Sequence, residues 1–261
     1  MPAHRTSAPT SAPDTTAAGR AAASAAAAAS AAAFGSRGPS HLAVADVSKC
    51  YAGRRVLSNV SFTARSGERI GLIGENGTGK STLLRILGGL EPADTGTIVH
   101  AGSVGSLVQE LPYPDETPLA RVLDDAQRDA LQAREAIEAA GTAFAQDPDD
   151  PALGDAYTEA LERAERTDAW QSEARRGEVL TGLGLGGIGE STPVGELSGG
   201  QRLRLALAAL LLEAPHTMLL DEPSNHLDDA SAAYLERVLG GWPGIVIVAS
   251  HDRSLLDAVA T

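Results

Sequence analysis

The run Arg69-Ile70-Gly71-Leu72-Ile73-Gly74-Glu75-Asn76-Gly77-Thr78-Gly79-Lys80-Ser81-Thr82 decides the fold. Residues Gly74–Ser81 fit the pattern G-x-x-x-x-G-K-[ST] at every position. The apolar residues before them, Arg69–Ile73, read as a short strand, and Ser81–Leu87 reads as a helix closed by Gly88-Gly89. A glycine-rich turn between a strand and a helix start lets the backbone curl, so that successive N–H groups point inward. The helix N-terminus adds positive potential at the same place. Such a loop suits phosphate. Gly74, Glu75, Asn76, Gly77, Thr78, Gly79, Lys80, Ser81 and Thr82 are the candidate binding residues. In a site of this kind Lys80 reaches the outer phosphates of a nucleoside triphosphate and the Ser81 hydroxyl holds Mg²⁺.

Further along, Thr217–Leu220 is a short apolar strand running into Asp221-Glu222. Acids at the C-terminal edge of a parallel sheet sit beside a phosphate loop, where such folds bind ligands. Asp221 is then a second candidate for Mg²⁺, and Glu222 the candidate general base for an attacking water. Taken alone, an acidic pair after a strand is most often a solvated turn. The phosphate loop upstream reverses that reading. A third stretch, Leu197-Ser198-Gly199-Gly200-Gln201, opens a helix over Gln201–Leu212, with Ser198 as its N-cap and two glycines that permit close approach of an anion.

The remaining pattern alternates strands and helices. Leu42–Val47 and Val56–Phe62 read as strands around a turn at Gly53, Ile98–His100 and Val104–Val108 as a hairpin around Gly102, and Ile245–Ala249 as a last buried strand. Pro118–Leu180 is helical in composition, and Gln146–Pro151 breaks it into two stretches, the pattern of an antiparallel helical hairpin. A glycine cluster at Gly182–Gly189 reads as a flexible joint. The expectation is an α/β phosphate-loop NTPase: a mostly parallel sheet flanked by helices, an N-terminal antiparallel β part and an inserted helical part over 115–190. Residues 1–40, dominated by Ala, Ser, Thr, Pro and Gly, cannot bury enough surface to offset their ordering entropy and read as a disordered tail.

Composition narrows the classes. Aromatics are 3% of the 261 residues, so the core must be built from Leu, Val, Ile and Ala. Cys50 is the only cysteine, which excludes an internal disulfide or a cysteine metal cluster and suits a reducing cytoplasm. No apolar run reaches the length of a membrane-spanning helix. The net charge is −13, and 18 acidic residues against 7 arginines between Asp115 and Glu190 concentrate it in the helical part. Lysine occurs twice, at Lys49 and Lys80.

Together, Gly74–Ser81, Leu197–Gln201 and Asp221-Glu222 resemble the ATP-binding cassette family from about His41 to the end of the chain. The resemblance implies binding and hydrolysis of ATP with Mg²⁺. It makes Leu197–Gln201 the family's signature sequence. It makes Gln109 the glutamine that senses Mg²⁺ and the attacking water, His251 the switch histidine at the γ-phosphate, and Tyr51 the ring that stacks on adenine. In this family two cassettes sandwich each nucleotide, so Ser198, Gly199, Gly200 and Gln201 serve the ATP held by the opposite cassette. Asn225-His226-Leu227-Asp228 resembles the ABC-F branch, which acts on ribosomes, rather than the Ser-Ala-Leu-Asp usual in transporter subunits. Val108-Gln109-Glu110 and Asp168-Ala169-Trp170 are similar to that branch as well. The implied partners are a second cassette, as a homodimer or a missing C-terminal half, and the ribosome. The alternative is the peripheral ATPase subunit of a membrane transporter. A phosphate surface attracts cations, so any ribosome contact by the acidic helical part must use local arginine clusters such as Arg175-Arg176, or ribosomal proteins; the alternative is a solvated helical hairpin lying on the cassette. The family's fold leads one to expect further elements after Thr261.

Overall fold

A computed structural model describes residues 41–108 and 110–260; the tail read at 1–40, Gln109 and Thr261 lie outside the described residues. Two sheets carry the fold. Strands β1 (His41–Tyr51), β2 (Arg54–Arg65) and β4 (Thr95–His100) form an antiparallel sheet in the order β2-β1-β4. Strands β3 (Arg69–Leu72), β5 (Val104–Ser106), β6 (Thr217–Asp221) and β7 (Ile245–Ala249) form a parallel sheet in the order β3-β7-β6-β5. β1 and β2 join through Ala52 and Gly53, both at positive φ (46° and 81°), the two-residue turn that matches the twist of paired strands.

Side chains on β6 and β7 alternate between two cores, as a period of two requires. Leu219, Ile245, Ile247 and Ala249 pack with the antiparallel sheet and with helix α1 (Lys80–Leu87), through Leu42, Val44, Leu83 and Leu87. Met218, Leu220, Val246 and Val248 pack on the opposite face, against α6 (Gly199–Glu213) and α7 (Asp229–Gly240). A sheet covered on both faces explains why these two strands read as unbroken apolar runs.

The helical part comprises α2 (Leu119–Ala126), α3 (Arg128–Gln146), α4 (Pro151–Thr167) and α5 (Ser172–Gly182). α3 and α4 run antiparallel, as expected from the Gln146–Pro151 break: Gln132 meets Arg163, and Phe144 stacks on Tyr157 near the turn. Asp150 caps α4 by accepting from the Ala152 amide, with Pro151 in the first turn, where its missing N–H costs nothing. Alanines at 130, 133 and 164 form the small core between these helices. A final helix, α8 (Arg253–Val259), packs on β3 and α7.

Three local expectations need correction. Ile98–His100 and Val104–Val108 do not pair as a hairpin. β4 pairs with β1 and β5 pairs with β6, so the chain crosses between the two sheets at Ala101–Ser103. The crossing is tight, because a Cβ on Gly102 would lie 2.4 Å from the His216 ring. β3 ends at Leu72, whose partner Ala249 is the last residue of β7, and Ile73 leaves the sheet and is 80% exposed. The glycine cluster at 182–189 is anchored rather than loose, since Leu183 and Leu185 are fully buried and the Leu185 amide donates to the Leu180 carbonyl.

Candidate functional site

The phosphate loop leaves β3 and ends where α1 begins. Gly77 and Gly79 have φ of +81° and +100°, which side chains with a Cβ rarely adopt. Gly79 is also crowded: a Cβ there would lie 2.8 Å from Val56 Cγ1 and 2.9 Å from Leu57 Cδ2. β2 therefore sets the floor on which the loop rests. The Thr78 hydroxyl donates to the Glu75 carbonyl at 2.8 Å, and Lys80 Nζ donates to the Gly74 and Glu75 carbonyls at 2.7 and 3.2 Å. Thr78 and Lys80 thus hold the curl from inside, and Lys80 can exchange these carbonyls for a phosphate oxygen.

A pocket of about 380 Å³ opens beside the loop, lined by Tyr51, Val56, Asn76, Gly77, Gly79, Lys80, Ser81, Thr82, Asp221, Glu222 and Asn225. Residues distant in sequence are brought there by the sheet: β3 carries the loop and β6 carries the acids, with β7 between them. Asp221 pairs with Ala249 on β7, and the Glu222 amide donates to the Ala249 carbonyl at 2.8 Å. Glu222 has φ of +48°, a sharp exit from the strand. One of its oxygens, Oε2, collects three contacts from the end of β7: the Ser250 hydroxyl at 3.2 Å, the His251 amide at 3.4 Å and His251 Nδ1 at 2.9 Å. His251 is 70% exposed at its side chain, whereas Ser250 is fully buried. The carboxylate is thereby anchored through one oxygen beside an accessible imidazole, an arrangement that can polarise a water at the pocket.

The donors also suit Mg²⁺. Ser81 and Asp221 line one pocket and offer a hydroxyl and a carboxylate, the hard oxygen donors that this ion prefers. Among the described residues no cluster of three or more His, Cys, Asp or Glu forms a cage for a metal. Two protein oxygens completed by phosphate and water are the usual way a phosphate-bound Mg²⁺ is held.

The sequence-predicted residues divide into two sets. Tyr51, Asn76, Gly77, Gly79, Lys80, Ser81, Thr82, Asp221 and Glu222 meet at the pocket, and His251 joins through Glu222. Gly74, Glu75 and Thr78 shape the loop through the carbonyl contacts above. Ser198, Gly199, Gly200 and Gln201 are not among the pocket's lining residues. They open α6 with a capping box: the Ser198 amide donates to Gln201 Oε1 at 2.8 Å and the Gln201 amide to Ser198 Oγ at 3.3 Å. Arg202 fixes the preceding turn by donating to the Gly195 and Leu197 carbonyls. Gln109 lies outside the described residues.

Two contributors escaped the sequence reading. Asn225 lines the pocket, and Ser250 orients Glu222. Asn225 stands three residues after Glu222, and Ser250 directly before His251, but their roles depend on strand register. The turn 222–228 links the two sets. Asn225 faces the pocket, while the adjacent His226 lies against the start of α6, its Cβ 3.6 Å from where a Cβ on Gly200 would be. Asp228 ends the turn and caps α7, and its bonds to the Ser231 amide and hydroxyl hold its carboxyl below the usual carboxylate range.

The geometry agrees with the comparisons to known proteins. The family model described as "ABC transporter" matches residues 57–225. The tylosin resistance ATP-binding protein TlrC of Streptomyces fradiae is 42% identical over 223 residues, covering 84% of this chain and 41% of the relative. The energy-dependent translational throttle protein EttA of Mycobacterium tuberculosis is 34% identical, covering 82% of this chain and 38% of the relative. ABC transporter F family member 2 of Arabidopsis thaliana is 31% identical, over 85% of this chain and 34% of the relative. The chain therefore spans about two fifths or less of the length of these relatives.

Proposed function

The chain belongs to the ATP-binding cassette family, on its ABC-F branch, and from that premise we propose that it binds MgATP and hydrolyses it as one of two paired cassettes of a protein acting on the ribosome. The observation that carries this reading is the single pocket joining Lys80, Ser81, Asp221 and Glu222, with His251 held on Glu222. The loop amides and Lys80 bind the phosphates. Ser81 and Asp221 hold Mg²⁺, which when bound neutralises charge on the phosphate oxygens. Glu222, oriented by Ser250 and His251, accepts the proton of the attacking water. Tyr51 forms the wall against which the base stacks. For Gln109 the role of Mg²⁺ and water contact is proposed on the family resemblance alone.

The start of α6 stands apart from the pocket, which supports a composite site: Ser198 and Gly200 serve the nucleotide of the opposite cassette, supplied by a second copy or by another part of a longer protein. Turnover then depends on pairing. Among the described residues no helix is long and apolar enough to cross a membrane, and we place the protein in the cytoplasm. Two relatives, the tylosin resistance protein and the translational throttle protein, support translation or protection of the ribosome from an antibiotic as the process served.

The test is co-sedimentation with ribosomes in the presence of ATP, using Glu222→Gln to retain the bound nucleotide. Enrichment of this variant over Lys80→Ala is expected. Equal, background sedimentation of both would refute the ribosomal reading and leave the peripheral subunit of a transporter as the alternative.

A further inference from the structure

Lysine is used twice in this chain, once in the phosphate loop and once at Lys49, where its side chain is nearly buried. Burying an ammonium away from the phosphates carries a desolvation cost, so its surroundings must compensate. They do. Lys49 Nζ lies 2.7 Å from the Pro92 carbonyl, 3.3 Å from Glu91 and 3.4 Å from Asp94. Asp94 in turn accepts from the Cys50 amide at 2.7 Å. Glu91 has a second cation, Arg85 on α1, at 3.6 Å, and accepts a hydrogen bond from the Tyr51 hydroxyl. Lys49 also sits over the Tyr51 ring, 5.6 Å from its centroid.

The network has a direction. Tyr51 ends β1, one residue before the exposed turn at Ala52-Gly53, and is itself 41% exposed. A ring so placed would sample several rotamers if nothing held it. Glu91 lies four residues after the C-terminus of α1, the helix that begins at Lys80. The Tyr51–Glu91 bond therefore ties the tip of the antiparallel sheet to the helix that carries the phosphate loop. Lys49 lies over one face of the ring, and Tyr51 lines the nucleotide pocket.

We propose that Glu91, together with Lys49, is a positioning residue that fixes the Tyr51 ring as the base-stacking wall of the nucleotide pocket. The inference rests on the reading of Tyr51 as that wall. The electrostatics agree with it. The Tyr51 hydroxyl, against the opposing effect of burial and with help from Lys49 and Arg85, holds the Glu91 carboxyl below the usual range. Glu91 stays charged and remains a strong acceptor at neutral pH.

Calorimetric titration of the 261-residue chain with MgATP and with magnesium tripolyphosphate, which has no base, tests this. Glu91→Ala and Tyr51→Phe should each weaken MgATP binding about two- to tenfold, the cost of ordering one side chain on binding. Neither should change tripolyphosphate affinity, and the double variant should bind no worse than Glu91→Ala. Glu91→Gln, which still accepts the hydroxyl's bond, should recover most of the loss. If Tyr51→Phe and Glu91→Ala bind MgATP like the unaltered chain while Tyr51→Ala is weakened, the wall stands and the positioning role is wrong. If Tyr51→Ala also binds normally, Tyr51 is no wall and the proposal falls with it. An equal loss for both ligands in Glu91→Ala would show a general structural role and overturn it too. Should Glu91→Ala fail to fold, Tyr51→Phe carries the same comparison. Lys80→Ala, which must weaken both ligands, checks the phosphate-loop reading separately.

Discussion

Replacing Gly79 by Ala should cost far more than the same change two residues earlier, at Gly77. Both glycines sit at strongly positive φ, so each substitution forces an L-residue into left-handed backbone. That term costs about 1–2 kcal/mol at either position. The surroundings differ. At Gly77 the new methyl would meet nothing within 4 Å, whereas at Gly79 it would meet Val56 Cγ1 at 2.8 Å, Leu57 Cδ2 at 2.9 Å and the Val56 carbonyl oxygen at 3.1 Å. Leu57 is buried in the core beneath, and the carbonyl belongs to a paired strand, so neither can withdraw freely. Overpacking of this kind adds about 1–3 kcal/mol. Gly79→Ala should therefore lose about 2–5 kcal/mol of folding stability and Gly77→Ala about 1–2 kcal/mol. Urea unfolding followed by tryptophan fluorescence measures both, because Trp242 is 1% exposed and must become solvated. Equal losses would refute the claim that β2 forms the floor of the loop. A larger loss at Gly77 would refute the whole account of the loop.

Glu222→Gln should keep the hydrogen bond from Ser250 but lose the base, lowering turnover by about 10²- to 10⁴-fold while MgATP binding is retained; single-turnover hydrolysis beside equilibrium binding checks both halves. A pH effect is expected from His100, whose Nδ1 is buried with no hydrogen bond. Burial lowers its pKa in the fold, against a smaller raising effect from the Leu87 backbone. The unfolded chain then takes up the proton first as pH falls below about 6.5, so the stability this residue contributes is full above that pH and is lost below it. Between pH 7.5 and 5.5 the unfolding free energy of the parent should fall more steeply than that of His100→Gln, and parallel slopes would contradict this.

How much was legible without coordinates varies by element. The phosphate loop was, because G-x-x-x-x-G-K-[ST] is a local device: its glycines, its lysine and its helix start act within eight consecutive residues. The hairpin at Gly53 and the pair of long helices around Gln146–Pro151 were legible for the same reason. The expected pairing of Ile98–His100 with Val104–Val108 fails, since two strands on either side of a glycine look alike whether they face each other or belong to different sheets. Nothing local separates those cases. The partners β1 and β6 lie about 50 and 110 residues away.

Sequence alone singled out the candidate residues: Lys80 and Ser81 in the loop, Asp221 and Glu222 after an apolar strand, Ser198–Gln201 at a helix start, His251 after the last strand. Their types and immediate neighbours suffice, because a loop, a cap and a strand end are built from adjacent residues. Tertiary structure decided which of them meet. The register of β6 against β7 sets Glu222 beside Ser250 and His251, and the order β3-β7-β6 carries both acids to the loop. The capping box turns Ser198 and Gln201 into the start of α6, away from the residues that line the pocket. The tie from Glu91 to Tyr51 spans 40 positions and appears in no motif. Such contacts arise from packing two sheets and a helix around shared cores, and packing is a property of the whole chain.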